Sequence, residues 1–173
     1  MSQAPFVQIL VAGCTYLATN ALATVFAEIE KREYPDLFIT ASYVGDINGL
    51  THFYFEKFAE EDLLQGLQPA LLQSCFFKRE LFKKAGYFST NYLNRSALDF
   101  FCRLYQMENL RWSFEERVFV ELDIFPKGII KPPTLIYETW QVVRKHFGFV
   151  KSLLWLYYLK RNYHKKVLHF LWQ

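Results

Sequence analysis

Apolar and polar residues follow two alternating patterns along this chain. Short apolar runs bounded by polar or breaking residues predict strands at residues 6–11, 37–44 and 71–77, and alternating apolar positions predict a fourth strand at residues 117–125. Apolar residues at helical spacing predict helices between them, at residues 21–31, 60–67, 79–85 and 98–107. Strands that alternate with helices in this way are typical of an α/β domain.

Local signals refine several of these elements. The first helix is expected to bury one apolar face, formed by Leu22, Val25, Phe26 and Ile29. Gly86 directly follows the third helix, where a left-handed backbone favours a residue without Cβ. Residues 45–49 read as a turn, whereas residues 52–58 fit either an aromatic strand or an extended loop.

The C-terminal part has a different pattern. Pro126, Gly128 and Pro132-Pro133 predict a linker, after which two helices are expected, at residues 137–147 and 149–171. We therefore predict an α/β domain over residues 1–130 and a helical basic and aromatic tail over residues 131–173.

Composition adds two constraints. The 173-residue chain is 52% hydrophobic, and its 18 Phe and 11 Tyr exceed what a small core needs. Some of this aromatic surface is expected to meet a membrane, a partner or a flat ligand. Residues 139–173 hold seven of the 20 Lys and Arg and no acid, which leaves residues 1–138 at a net charge of −4. Because only the tail is basic, we expect no nucleic-acid partner.

The N-terminal 27 residues carry no charged side chain, which raises the alternatives of a signal peptide or a membrane span. A basic n-region is absent from this stretch, and polar residues interrupt its apolar run, so a buried strand and a helix explain it better. Cys14, Cys75 and Cys102 are odd in number and widely spaced, which is typical of reduced thiols. We therefore expect a cytoplasmic protein.

The tail has a second possible role. Its second helix places Val150, Leu153, Leu154 and Tyr157 at helical spacing, in an uncharged run too short to span a bilayer. A basic, aromatic amphipathic helix suits the surface of an anionic membrane, here the inner face. The expected contact residues are Lys151, Trp155, Tyr158, Lys160, Arg161, Lys165 and Lys166. The alternative is a helix packed on its own sheet with a solvated basic face.

Two motifs at fixed spacing carry a family resemblance. The first is Pro69-x-x-x-Gln-Ser-x-Phe-Phe-Lys-Arg-Glu-Leu-Phe-x-x-x-Gly-x-Phe, and the second is Ala97-x-Asp-Phe-Phe-x-Arg-Leu. Together with the order of strands and helices over residues 6–125, they resemble family-2 glycosyltransferases of the GT-A fold. The resemblance implies a partial GT-A-like mixed sheet flanked by helices, with a role in polysaccharide biosynthesis.

The resemblance also implies site residues. Asp99 matches the general base that deprotonates the acceptor hydroxyl, and the alternative is that it supports the start of its own helix. Gln73 and Asp46 match substrate-binding positions. Alternatively, Gln73 satisfies backbone groups and Asp46 belongs to a turn.

The chain departs from the family at two points. Cys14 stands where the family carries an acidic metal-binding motif, and a neutral thiol is a poor ligand for magnesium or manganese. We assign no metal site and no cofactor, and expect a divalent ion only where a partner supplies its ligands. The segment that matches the family is its acceptor side, so we expect a homodimer or a partner chain to cover the sheet edge beside residues 6–11.

These observations leave two functions open. The first is transfer of a sugar from a nucleotide-sugar to a glycan or lipid-linked acceptor, with a partner chain for donor binding. The second is a catalytically inactive pseudo-glycosyltransferase, an interaction module at a membrane or on a full-length glycosyltransferase.

Overall fold

The computed structural model describes residues 4–11, 13–45, 51–54, 58–122 and 132–161. Contacts divide the chain into two compact units. The first unit comprises Met1–Glu56, Ala70–Gly86 and Glu108–Pro126. The second comprises Lys57–Pro69, Tyr87–Met107 and Lys127–Gln173. The expected boundary near residue 130 differs from this grouping, which places the C-terminal helices with two earlier segments. Whether either predicted part folds alone stays a prediction.

A mixed sheet forms the centre of the first unit. Its strands are β1 (Phe6–Gln8), β2 (Cys14–Tyr16), β3 (Leu37–Gly45), β4 (Thr51–Tyr54), β5 (Cys75–Lys78) and β6 (Trp112–Leu122). They are ordered β1-β5-β3-β6-β2, and β4 pairs with β3. β3 runs parallel to β6 and antiparallel to β5, while β1 and β2 pair antiparallel with β5 and β6. The predicted mixed α/β sheet flanked by helices is confirmed.

The central strand β3 follows directly from its sequence. It is a mainly apolar run, interrupted by the small polar residues Thr40 and Ser42, in which every residue except Tyr43 is buried. Strands that are paired on both edges and covered on both faces need such a run rather than an alternating pattern.

The helices of the first unit are α1 (Ala21–Lys31) and α3 (Arg79–Ala85), both within the predicted limits. α1 buries Ala21, Val25 and Ile29 against the sheet, whereas Leu22 and Phe26 are 42% and 43% exposed. The predicted apolar face was therefore partly wrong, because the inward stripe follows the i, i+4 row from Ala21. Burial of each large aliphatic side chain there contributes about 1.5–3 kcal/mol. Gly86 has φ +77°, as predicted for the residue after α3.

Strand ends differ more from the expectation. The first predicted strand stops at Gln8, and Leu10 and Val11 are about half exposed. β2 was not predicted, and β6 begins five residues early, at Trp112. Residues 72–74 form a single 3-10 turn instead of extending β5. The turn at residues 46–49 and the strand end at residues 123–125 lie outside the described residues.

Helices make up the second unit. They are α2 (Glu60–Leu64), α4 (Ser96–Tyr105), α5 (Pro132–Phe147) and α6 (Phe149–Arg161). α5 and α6 pack through Leu135, Val143, Trp155 and Leu159. Gly148 separates the two helices with φ +89°, a conformation that L side chains rarely adopt. α5 begins at two prolines, which the first helical turn tolerates because its N–H groups have no intrahelical partner. The continuation of α6 predicted for residues 162–171 lies outside the described residues.

Candidate functional site

Asp99 lies at the centre of a charge cluster within the second unit. Its side chain, in the first turn of α4, is only 1% exposed. Oδ2 accepts a hydrogen bond from Arg103 Nε at 3.1 Å, one helical turn later. Oδ1 accepts from Lys145 Nζ at 2.7 Å and lies 2.8 Å from His146 Nε2. Helix α5 thus brings two basic groups onto one carboxylate.

These partners control the ionisation of Asp99. Burial by itself would raise the pKa of the carboxyl group, but the hydrogen bonds from His146 and Lys145 and their positive charge lower the pKa to about 2. Asp99 is therefore a carboxylate at neutral pH.

The His146 ring joins the cluster at both nitrogens. Its Nδ1 lies 3.1 Å from Gln106 Oε1, and Gln106 Nε2 donates to the His146 backbone carbonyl at 2.8 Å. Both ring nitrogens face acceptor oxygens, and a neutral imidazole has only one N–H to donate. The ring is thus held between Asp99 and Gln106.

This geometry bears on the predicted base. A general base must come within hydrogen-bond reach of the acceptor hydroxyl, and a useful base has a pKa near the working pH. Asp99 has both oxygens engaged and a pKa of about 2. Its role as base stays a prediction, and it requires the carboxylate to exchange Lys145 or His146 for the acceptor.

Glu138 has a role that the sequence reasoning missed. From α5 it accepts backbone N–H groups of Leu93, Asn94 and Arg95 at 2.8–3.1 Å, just before α4. Carboxylates are favoured at such helix starts, where N–H groups lack intrahelical partners. The only sequence signal for this role was the position of Glu138 next to the apolar positions of α5. Its effect is to fix the loop that leads into α4.

A pocket of about 490 Å³ adjoins the charge cluster at Lys145 of α5, and we call it the aromatic-basic pocket. Its aromatic walls are Tyr92, Tyr137 and Trp140. Its polar lining is Asn91, Gln141, Arg144 and Lys145. Burial raises the pKa of Tyr92, so its hydroxyl keeps its proton at neutral pH.

The substrate-binding residues predicted with Asp99 are placed elsewhere. Gln73 is buried in the first unit, where its backbone carbonyl accepts from Gln8 Nε2 at 2.6 Å. The Tyr16 hydroxyl donates to Gln8 Oε1, and burial raises the pKa of Tyr16. This network links β1 and β2 to the 3-10 turn through the Gln73 backbone, and a substrate-binding role for the Gln73 side chain stays a prediction. Asp46 lies outside the described residues.

The family's divalent metal does not fit the described residues. Cys14, at the matching position, lies in β2 and is packed against apolar core residues. Within the described part of the chain, no group of three or more His, Cys, Asp or Glu residues could hold a metal ion. A lone thiol does not provide the oxygen ligands that magnesium and manganese prefer. We derive no step through such an ion.

The predicted membrane contacts need one correction. Trp155 is 2% exposed, and its Nε1–H donates to the Gln65 carbonyl at 2.9 Å, so it packs inside the second unit. Lys151 pairs with Glu60 at 2.8 Å. The side chains of Tyr158, Lys160 and Arg161, and residues Lys165 and Lys166, lie outside the described part. The apolar side chains that α6 does expose are Phe149, Val150, Leu153, Leu154, Leu156 and Tyr157. Among the described helices, none is both long and apolar enough to cross a bilayer.

The mixed sheet and its flanking helices form a glycosyltransferase-like fold. The chain superposes on the glycosyltransferase TarS of S. aureus with a TM-score of 0.55 and 14% identity, covering 82% of this chain and 24% of TarS. It superposes on TarS residues 1–349 in complex with UDP-GlcNAc with a TM-score of 0.54 and 12% identity, covering 84% of this chain and 48% of that one. The chain thus spans less than half of either neighbour. No family model matches the chain. No curated protein matches it either. Identities this low show the fold alone.

Proposed function

We propose that this chain provides the acceptor side of a sugar transfer from a nucleotide-sugar to a glycan or lipid-linked acceptor. In this proposal it is related to family-2 glycosyltransferases, and Cys14 marks a degenerate metal motif. Another polypeptide segment completes the donor site. The single observation that supports the proposal most strongly is the fold shared with TarS, one of whose structures contains UDP-GlcNAc.

The second unit supplies the reasons for an acceptor role. The resemblance assigns Asp99 as the base. Asp99 lies on α4 and contacts Lys145 of α5, which also lines the aromatic-basic pocket. A group that binds in the pocket therefore lies next to the cluster that controls Asp99. Displacement of Lys145 by an acceptor would open one of the two contacts of Oδ1, which keeps His146, and would raise the pKa of Asp99 toward the ordinary range.

A second candidate function is an inactive interaction module at a membrane. The engaged state of Asp99 favours it, since a carboxylate with three basic partners is typical of a structural ion cluster. The exposed apolar side chains of α6 favour membrane attachment, because they follow one another at helical spacing beside a basic C-terminal sequence.

A transfer assay separates the two candidates. The protein is purified from its natural host together with its partners and incubated with manganese, UDP- or GDP-sugars and glycan or lipid-linked acceptors. The wild-type preparation is expected to transfer sugar, Asp99→Asn to transfer little, and Glu80→Gln, an exposed carboxylate on α3, to behave as wild type. Absence of transfer by the wild type contradicts the enzyme proposal, and full activity of folded Asp99→Asn contradicts the base assignment.

A further inference from the structure

One side of α5 is organised as a pocket wall. Tyr137, Trp140, Gln141, Arg144 and Lys145 are spaced i, i+3, i+4, i+7 and i+8, which places them on one helical face. The opposite wall is the loop at Asn91 and Tyr92, which precedes the backbone segment bound by Glu138. The two walls, which Glu138 of α5 links, border an open pocket of about 490 Å³, within the range of about 300–1,000 Å³ common for small-molecule sites.

The charge of the pocket is positive. Arg144 and Lys145 line it, and its lining contains no carboxylate. The Arg144 guanidinium lies over the rings of Trp140 and Phe149, 5.3 and 5.4 Å from their centroids. It has no carboxylate partner in the described part of the chain. Stacked rings orient a guanidinium while leaving its N–H groups for an oxyanion, which it binds in a bidentate manner.

Lys145 adds a second cation from the same helix. Its Nζ is 2.7 Å from Asp99 and 5.9 Å from the centroid of the Tyr92 ring. Asp99 is shared between Lys145 and Arg103, so this carboxylate offsets only part of the Lys145 charge, while Arg144 keeps its own. An anion in the pocket would face both cations.

The other lining groups match a sugar ring. Tyr137 offers an aromatic face on which the C–H face of a pyranose can pack. Tyr92 and Trp140 add the ring faces that Lys145 and Arg144 do not cover. Asn91 and Gln141 carry amides that both donate and accept hydrogen bonds, as sugar hydroxyls require.

We propose that the aromatic-basic pocket binds a sugar unit that carries an oxyanion, either a phosphate or a carboxylate. The aromatic faces and amides bind the ring, and Arg144 with Lys145 binds the anionic group. This inference deepens the proposed function. It rests on that function only where it treats the bound sugar as part of the acceptor. Binding itself needs no donor and no transfer.

The test is isothermal titration of the full chain with glucose 6-phosphate, glucuronate, glucose and inorganic phosphate. At least one of the two anionic sugars is expected to bind at least about tenfold more tightly than glucose or phosphate, since hydrogen bonds to a charged group are stronger than those to a neutral one. The preferred one identifies the anionic group. Equal affinities for glucose and both anionic sugars, or equal binding of free phosphate, would overturn the proposal.

Variants locate the binding. Arg144→Gln and Tyr137→Ala, whose side chain is 56% exposed, are each expected to weaken anionic-sugar binding about tenfold or more. Arg117→Gln is the matched control, because it removes an exposed arginine that lies over Phe119 in the first unit. Unchanged affinity in both pocket variants, or equal loss in the control, counts against the pocket. Sugar binding without transfer would contradict only the proposed function, whereas transfer without binding would contradict only this inference.

Discussion

Replacement of Asp99 by asparagine tests the charge cluster most sharply. Its pKa is about 2 in the folded protein against 3.8 in an unperturbed aspartate. Because one pKa unit corresponds to about 1.4 kcal/mol, the ionised carboxylate stabilises the fold by about 2 kcal/mol at neutral pH. Asparagine keeps the shape and one acceptor oxygen but removes the charge. We therefore expect Asp99→Asn to lower the free energy of unfolding by about 2 kcal/mol at about pH 7.

The pH dependence has a definite sign. The folded-state pKa of Asp99 is depressed, so its stabilisation is present above the unfolded-state pKa of roughly 4 and is lost as the pH falls through about 2. Urea unfolding followed by circular dichroism measures both proteins from neutral pH downward. The difference between them should shrink as the pH falls below roughly 4. Glu80→Gln serves as the surface control and should stay within about 0.5 kcal/mol of wild type. A constant difference, or none at neutral pH, would refute the reasoning.

Two further predictions concern the second unit. Glu138→Ala should lower the free energy of unfolding by roughly 1–3 kcal/mol, because three backbone N–H groups lose their acceptor, and urea unfolding measures it. If Glu138→Ala were as stable as the wild type, other groups would have to accept these three N–H groups. Leu154→Asp, at a residue 51% exposed on α6, should reduce sedimentation with anionic vesicles without lowering stability. Leu93→Asp, at a more exposed residue outside α6, is its control, and equal sedimentation of both variants would contradict a membrane role for α6.

The elements that the sequence predicted well carry a strong local signal. β3 is a nine-residue strand with one exposed position, so its apolar run alone identifies it. α1 ends where helical spacing stops, and Gly86 marks the end of α3. β2 has only three residues and exists because Cys14 to Tyr16 pair with the end of β6. A strand this short is defined by its distant partner and leaves almost no local pattern.

The site shows the same division. Asp99 was identified from its motif, but its partners Lys145 and His146 lie 46 and 47 residues later and meet it only through helix packing. The face of α5 that lines the pocket is visible in the sequence as spacing from Tyr137 to Lys145. Its opposite wall is not, because a loop residue carries no periodicity that ties it to a helix. Likewise, tertiary contacts decide that α1 buries Ala21, Val25 and Ile29 and leaves Leu22 and Phe26 partly exposed.

Restoration of sugar transfer tests the central claim most directly. Extracts of the natural host that lack this chain are supplied with radiolabelled nucleotide-sugars, and labelled glycan or glycolipid is measured before and after the purified chain is added back. The account predicts that wild-type protein restores incorporation and that Asp99→Asn, folded by circular dichroism, does not. Incorporation that is the same with and without the chain would contradict its role in sugar transfer.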